Sequence, residues 1–203
     1  YGPRGLALSP DESYLLVADT LNHTIRRLDL LTYAVTTVAG SPGASGYADG
    51  VGSAARLDWP HGVAISPDGS YALIADTFNQ LVRRLDLNSG VMTRLAGWPD
   101  WESSLDGFLD SAYFSYPRGV AISADGSYAL VADSSSGLVR RIGLTGPDAQ
   151  VVTTVAGEPW SYGGADGVGS AARFYWAYAV ATSDDPTFAL ALDAEGGTVR
   201  RRH

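Results

Sequence analysis

A seven-residue motif returns along the chain at an almost constant step, and no other feature restricts the fold as strongly. The clearest copy is Pro60-His61-Gly62-Val63-Ala64-Ile65-Ser66, and further copies begin at Pro3, at Pro117 and, in a degraded form, at Ala177. Equivalent positions in successive copies lie 57, 57 and 60 residues apart. A fixed period of this kind indicates an architecture that stacks one structural unit several times.

Each unit is predicted to contain four short strands joined by tight turns. In the second unit, apolar and β-branched runs predict strands over Gly62–Ser66, Tyr71–Ala75, Leu81–Leu87 and Val91–Ala96. Turn sequences separate these strands, and one helical turn is expected near Ser53. Four antiparallel strands repeated at a fixed period predict an all-β fold, a β-propeller in which each unit is one blade.

The units are expected to span residues 1–57, 58–114, 115–174 and 175–203 within a single domain, the last unit being incomplete. The chain would then hold three full blades and the first three strands of a fourth. This count favours an arc of a larger propeller. The alternative is a closed ring of four blades.

The turn and third strand of each unit resemble the NHL repeat. The first unit reads Ala18-Asp19-Thr20-Leu21-Asn22-His23-Thr24-Ile25-Arg26-Arg27-Leu28, then Val35-Thr36-Thr37-Val38-Ala39-Gly40. Its linker, Asp49-Gly50-Val51-Gly52-Ser53-Ala54-Ala55-Arg56-Leu57, returns from Asp166 onwards. The resemblance covers almost the whole chain and implies a propeller, commonly six-bladed in this family. It implies no particular activity, since propellers host many.

The composition removes several functional classes. The 203 residues include 22 acidic and 14 basic side chains and no cysteine, which gives a net charge of −8. Without cysteine there are no disulfides and no thiolate metal sites. The acidic balance argues against nucleic acid as a partner, and no apolar run is long enough to span a membrane. The three histidines lack metal-ligand spacing, so no metal or cofactor is expected.

Charged positions that recur in every unit are interpreted as structural. An aspartate closes the second strand, where its carboxylate can accept hydrogen bonds from the following turn. An Arg-Arg pair lies in the third strand, and its buried member needs a carboxylate, for which the repeated aspartate is the expected partner. The residues are Asp19, Asp76, Asp133, Asp193, Arg26, Arg27, Arg83, Arg84, Arg140 and Arg141. The linker aspartates Asp49, Asp106 and Asp166 are interpreted as turn residues.

Two groups of side chains are candidates for binding. One position just before the innermost strand changes chemistry from unit to unit, as Arg4, His61, Arg118 and Tyr178. In a propeller this position rings the mouth of the central channel. The inter-blade loops carry aromatic residues beside polar groups, a composition that favours binding of proteins or sugars. These loop aromatics are Tyr47, Trp98, Trp101, Trp160 and Tyr162.

No catalytic constellation stands out. We therefore expect a non-enzymatic module that binds a protein partner or a glycan, or that serves structural assembly, through the face bearing the inter-blade loops. The alternative is an NHL-type lyase or hydrolase with a metal or ligand site at the channel mouth. The acidic charge and the glycosylation sequon Asn22-His23-Thr24, in which Asn22 would carry the glycan, favour an extracellular or cell-surface location over a cytoplasmic one.

Overall fold

Strands and tight turns follow one another along the chain in the computed structural model, which describes residues 2–183 and 189–202. They form four antiparallel sheets arranged around a common axis, a four-bladed propeller arrangement. The all-β fold class and the propeller architecture predicted from the repeat are confirmed. The helices in the described ranges are single 3-10 turns at Thr20–Asn22, Gly52–Ala54, Thr77–Asn79 and Gly169–Ala171.

Within each blade the main strands pair in chain order from the axis outwards, four of them in blades 1 to 3 and three in the described part of blade 4. Blade 1 contains β1 (Gly5–Leu8), β2 (Tyr14–Asp19), β3 (Thr24–Asp29) and β4 (Val35–Gly40). Blade 2 contains β5 (Gly50–Val51), β6 (Pro60–Ile65), β7 (Tyr71–Asp76), β8 (Leu81–Asp86) and β9 (Val91–Gly97). Blade 3 contains β10 (Gly107–Phe108), β11 (Pro117–Ile122), β12 (Tyr128–Asp133), β13 (Leu138–Gly143) and β14 (Val151–Ala156). Blade 4 contains β15 (Ala177–Thr182), β16 (Ala189–Asp193) and β17 (Thr198–Arg202).

Blades 2 and 3 each have a fifth strand that the repeat pattern does not predict. β5 pairs with β9, and β10 pairs with β14. The linker that leads into a blade therefore first passes along the outer edge of that same blade and covers its exposed backbone groups. A strand of two residues is too short to show an alternating pattern in the sequence.

Apolar side chains are buried between consecutive blades. Three core clusters join blade 1 to blade 2, blade 2 to blade 3 and blade 3 to blade 4. Leu57, Phe114 and Phe174, one from each linker, are at most 3% exposed within these interfaces. No core cluster of the described residues joins blade 4 to blade 1, and Leu6 and Leu8 of β1 are 65% and 49% exposed.

Glycines allow the innermost strands to approach one another very closely at one end of the axis. A Cβ atom on Gly5 would collide with the carbonyl oxygen of His61, and one on Gly62 would collide with that of Arg118. A larger side chain at these positions would push neighbouring blades apart. The close approach makes the residues just before the glycines neighbours around the axis.

Buried hydroxyl groups form a hydrogen-bonded joint between each pair of consecutive blades. The turn after the second strand of one blade donates to the first carbonyl of the next innermost strand. The three pairs are Thr20–Pro60, Thr77–Pro117 and Ser134–Ala177. The outer hairpin loop of blade 3 covers residues 144–150 and is longer than its counterpart in blade 2, residues 87–90. The joint between blades 3 and 4 forms nevertheless.

Candidate functional site

The turns after the second strands and the linkers that enter the innermost strands form one end of the propeller, which we call the loop face. It comprises residues 20–23, 41–59, 77–80, 98–116, 134–137 and 157–176. Backbone hydrogen bonds join the two kinds of segment: Phe78 N–H donates to the Asp58 carbonyl at 3.1 Å, and Trp160 N–H donates to the Ser136 carbonyl at 3.0 Å. The loop aromatics and the channel mouth therefore share one face.

The structure brings together the four side chains predicted to ring the channel mouth. Arg4 Nη1 donates to the Tyr178 hydroxyl at 2.9 Å. The guanidinium carbon of Arg118 lies 5.0 Å from the centre of the Tyr178 ring, and the His61 ring centre lies 6.3 Å from it. Residues 174 positions apart in the sequence thus form one cluster, which we call the mouth cluster.

The mouth cluster is basic and incompletely hydrogen-bonded. His61 is 4% exposed, and neither of its ring nitrogens has a hydrogen-bond partner. Burial, followed by the charges of Arg4 and Arg118, lowers the pKa of His61 to about 4. Burial also lowers the pKa of Arg118. The imidazole is therefore neutral at neutral pH, because protonation would place a third positive charge in a poorly solvated position.

The loop aromatics are all exposed, but they do not form a single cluster. Trp98 lies beside Arg94, whose guanidinium carbon is 5.2 Å from the ring centre. The Tyr162 hydroxyl donates to the Ser135 carbonyl at 2.8 Å, which fixes that ring on the loop face. No ring contact joins any two of the five loop aromatics in the part of the chain described here.

A row of other aromatic side chains crosses the loop face between the linkers. The ring of Phe78 lies 5.0 Å from that of Trp59 and 5.3 Å from that of Tyr116. Trp59 and Tyr116 immediately precede the innermost strands, and both have a φ of 49°. Their equivalent positions in successive units suggest core residues, but both residues are only half-buried.

In blades 1 to 3 the first arginine of the pair lies against the aspartate that closes the second strand. In blade 2, Arg83 Nη1 donates to Asp76 Oδ2 at 3.0 Å, and both side chains are fully buried. The same pair in blade 3, Arg140 and Asp133, is 3.1 Å apart and equally buried. Burial raises the pKa of Asp76 to about 6, against the opposing effect of Arg83.

The linker aspartates do more than form turns, contrary to the interpretation from sequence. Asp49 Oδ1 accepts a hydrogen bond from Arg83 Nη2 at 2.7 Å, and Asp106 Oδ1 accepts one from Arg140 Nη2 at the same distance. Each buried arginine is therefore held by two carboxylates. The signal was present in the sequence, because the linker aspartates recur at the same step as the arginines.

The outer two blades contain looser versions of this arrangement. In blade 1, Arg26 is 3.4 Å from Asp19 and is only half-buried. In blade 4, Arg200 lies 3.5 Å from Asp166, whereas Asp193 accepts hydrogen bonds from backbone N–H groups. In blades 1, 2 and 3 the second arginine of the pair lies over a tyrosine ring. The three contacts are Arg27 on Tyr14, Arg84 on Tyr71 and Arg141 on Tyr128.

The remaining candidates have local partners. His23 Nδ1 is 3.1 Å from Asp58 Oδ1, and Asn22 Nδ2 donates to Asp19 Oδ2 at 2.9 Å. Across residues 2–183 and 189–202, no three acidic or histidine side chains are grouped so that they could hold a metal ion. Within the same ranges, no helix has the length and apolar character needed to cross a membrane.

Comparison with known proteins gives both sequence and structural relatives, although no family model matches the chain. NHL repeat-containing protein 2 of Bos taurus is 30% identical to this chain in an alignment that covers 84% of it. Protein SUPPRESSOR OF QUENCHING 1, chloroplastic, of Arabidopsis thaliana is 40% identical over 83 residues. The chain spans 27% of the length of the first relative and 8% of the second.

A solved structure supports the architecture independently. An auxiliary nutrient binding protein of Bacteroides ovatus superposes with a TM-score of 0.75 at 19% identity, over 98% of this chain and 47% of its own. At that identity the likeness shows the fold alone. The repeat motifs and the extended similarity to NHL repeat-containing protein 2 show which sequence family has adopted it here: the chain belongs to the NHL-repeat β-propellers.

Proposed function

We propose that the chain is a non-enzymatic binding module that captures a protein partner on its loop face. The observation that carries this proposal is the exposure of the five loop aromatics, which are between 46% and 63% exposed on three different linkers. Tryptophan and tyrosine offer large contact areas at a small cost in conformational entropy, and they are enriched among the residues that dominate binding energy.

The aromatic row, formed by the half-buried Trp59 and Tyr116 and the exposed Phe78, supports the same proposal. It lies on the loop face and provides a fixed apolar floor, because its rings already contact one another. A partner that contacts the loop aromatics would meet a surface that needs little ordering. The Bacteroides ovatus propeller is named as a nutrient-binding protein, which is compatible with a binding role for this architecture but assigns no ligand.

The proposal includes a location outside the cell or at its surface. It is supported by the net charge of −8 and by the sequon at Asn22, which lies in a turn of the loop face. Fractionation of the source cells, with detection of the native protein, would contradict this location if all of it were found in the cytoplasm.

Simultaneous replacement of Trp98, Trp101 and Trp160 by alanine tests the binding surface. Partners retained by the immobilised wild-type chain would be identified, purified and measured again by calorimetry. We expect the triple variant to weaken binding by about a hundredfold or more, because central aromatic anchors each contribute about 2 kcal/mol or more.

The matched control changes exposed apolar residues at the opposite end of the propeller. Leu31 and Tyr33 lie in the outer hairpin of blade 1 and are 88% and 76% exposed. Their replacement by serine should leave the affinity unchanged. An affinity that survives the tryptophan changes but not the Leu31 and Tyr33 changes would place the binding surface at the other end. If the chain bound only sugars on a glycan array, the ligand of the loop face would be a glycan and not a protein.

A further inference from the structure

The mouth cluster concentrates positive charge in a protein that is acidic overall. Neither Arg4 nor Arg118 forms an ion pair with a carboxylate of residues 2–183 or 189–202. Arg83 and Arg140, by contrast, are each held by two carboxylates. Among the described residues, the buried arginines of blades 2 and 3 are therefore neutralised, whereas the two arginines at the channel mouth have no carboxylate as a counter-charge.

Several buried polar groups of the mouth cluster also lack a hydrogen-bond partner. Both ring nitrogens of His61 and the Nε of Arg118 are buried and lack a hydrogen-bond partner. Buried polar groups are rarely left in this state, because removing such a group from water without giving it a hydrogen-bond partner is energetically unfavourable. A molecule that brings acceptor atoms into the mouth would remove that cost.

The aromatic rings beside Arg118 hold its guanidinium group in place. Its Cζ atom lies 5.2 Å from the centre of the Trp176 ring and 5.0 Å from that of Tyr178. Cation–π contacts of this kind do not use the hydrogen-bonding capacity of the guanidinium N–H groups, which can still donate to a ligand. Tyr178 accepts a hydrogen bond from Arg4, so its own hydroxyl proton remains available as a donor.

We infer that the mouth cluster is a binding site for a small molecule that carries an oxyanion, either a carboxylate or a phosphate group. The guanidinium groups of Arg4 and Arg118 supply the charge, and each can donate two parallel hydrogen bonds to the oxygens of a carboxylate or phosphate group. The Tyr178 hydroxyl and the His61 imidazole supply further donors. This site is distinct from the loop aromatics and does not depend on the proposed protein partner.

Oxyanion binding should be coupled to the protonation of His61. The charged and titratable groups that face His61 are Arg4, Arg118 and Tyr178, from blades 1, 3 and 4. An anion held between the two arginines would offset their repulsion of the imidazolium and accept its N–H groups. For an oxyanion whose own charge does not change, binding should therefore strengthen as the pH falls from 7 towards 5.

The test is NMR of the chain labelled with 15N in its histidine side chains. The His61 signals are assigned by their loss in the His61→Gln variant. Sodium acetate and sodium phosphate are added separately, with sodium chloride at matched ionic strength as the reference. We expect saturable shifts of the His61 signals with one or both oxyanions and none with chloride. Response to acetate alone identifies a carboxylate site, and response to phosphate alone identifies a phosphate site.

Variants assign the effect to the mouth cluster. Arg118→Gln should weaken binding by about tenfold or more, and Tyr178→Phe by a smaller factor, because the latter removes one neutral donor. Arg94→Gln removes an arginine that also lies over an aromatic ring but is outside the mouth cluster. This variant should bind the oxyanion with unchanged affinity. The triple tryptophan variant should bind the oxyanion normally even though it no longer binds the protein partner.

Two results would overturn the inference. One is that neither oxyanion shifts the His61 signals beyond the effect of chloride. The other is that the shifts survive Arg118→Gln and Arg4→Gln unchanged. If Arg118→Gln fails to fold, as judged by the His23 signals and circular dichroism, Tyr178→Phe and the exposed Arg4→Gln carry the same test.

Discussion

At the scale of single residues, Arg83 and His61 show two opposite solutions to burying a basic group. Arg83 is fully buried as a cation, and Asp76 and Asp49 provide its counter-charges. His61 is almost as deeply buried but faces two arginines, so it is held in its neutral form. The first solution contributes to the framework of the blade, whereas the second leaves hydrogen-bonding capacity unused at the channel mouth.

The neutral state of His61 predicts a specific loss of stability in acid. Its pKa is about 4 when folded and about 6.5 when unfolded, so below pH 6.5 the unfolded chain binds the proton first. The neutral His61 therefore contributes to the free energy of unfolding above pH 6.5. This contribution is lost as the pH falls to about 4, and the loss is at most about 3 kcal/mol. Urea unfolding of wild type and His61→Gln at a series of pH values measures it as the difference between the two proteins.

The histidine at position 23 offers a control for this experiment. His23 has a carboxylate neighbour in Asp58 and is not surrounded by arginines. His23→Gln should therefore still lose stability between pH 6.5 and 4 as the wild type does, whereas His61→Gln should lack the part of that loss that comes from His61. Parallel stability curves for wild type and His61→Gln between pH 6.5 and 4 would contradict the assignment.

At the scale of the elements, the third strands of blades 2 and 3 each depend on a fully buried arginine. Arg83→Met should destabilise the protein by about 3–5 kcal/mol at pH 7.5, because it leaves Asp76 buried without its cation. The penalty should shrink at pH 5, where Asp76, with a pKa already near 6, takes up a proton. Chemical denaturation at the two pH values measures both effects.

Blade 1 contains a matched comparison for that substitution. Arg26 occupies the equivalent position but is partly exposed and lies 3.4 Å from its aspartate. Arg26→Met should cost about 1 kcal/mol or less, as expected for a solvent-screened pair. Equal costs for the two substitutions would show that the arginines act through packing alone.

Much of each blade could be predicted from sequence because its strands alternate with turn residues at a fixed period. The predicted strand Tyr71–Ala75 differs from the observed β7 by one residue. The pairing of Arg83 with Asp49 could not be read from local patterns, because it joins a strand to a linker 34 residues away, and only the shared step of the two residues along the chain indicated it. The missing partners of His61 were equally hidden, since an unsatisfied group is defined only by what the fold places around it.

At the scale of the whole molecule, the hydroxyl joints near the axis determine how the blades are held together. Thr20 and Thr77 each donate to a buried carbonyl of the next blade at 2.7 Å. Thr20→Val and Thr77→Val preserve shape but leave that carbonyl unpaired, so each should cost about 1–3 kcal/mol. The two joints share no partner, and the costs should add in the double variant.

Thermal and urea unfolding of the two single variants and the double variant measure this additivity. Thr36→Val, in the exposed part of β4, provides the control and should be nearly neutral. A double variant that departs from the sum by much more than about 0.5 kcal/mol would show that the joints are coupled through the intervening blade.

The longer outer hairpin of blade 3 shows that the rim of the molecule tolerates added length while the axis keeps its spacing. Exposed loops of this kind accept inserted sequence at little thermodynamic cost. An epitope or a reporter peptide grafted between residues 145 and 149 would thus be displayed at the end opposite the loop face. The protein could then be immobilised or tracked through one end while the other remained free for its ligands.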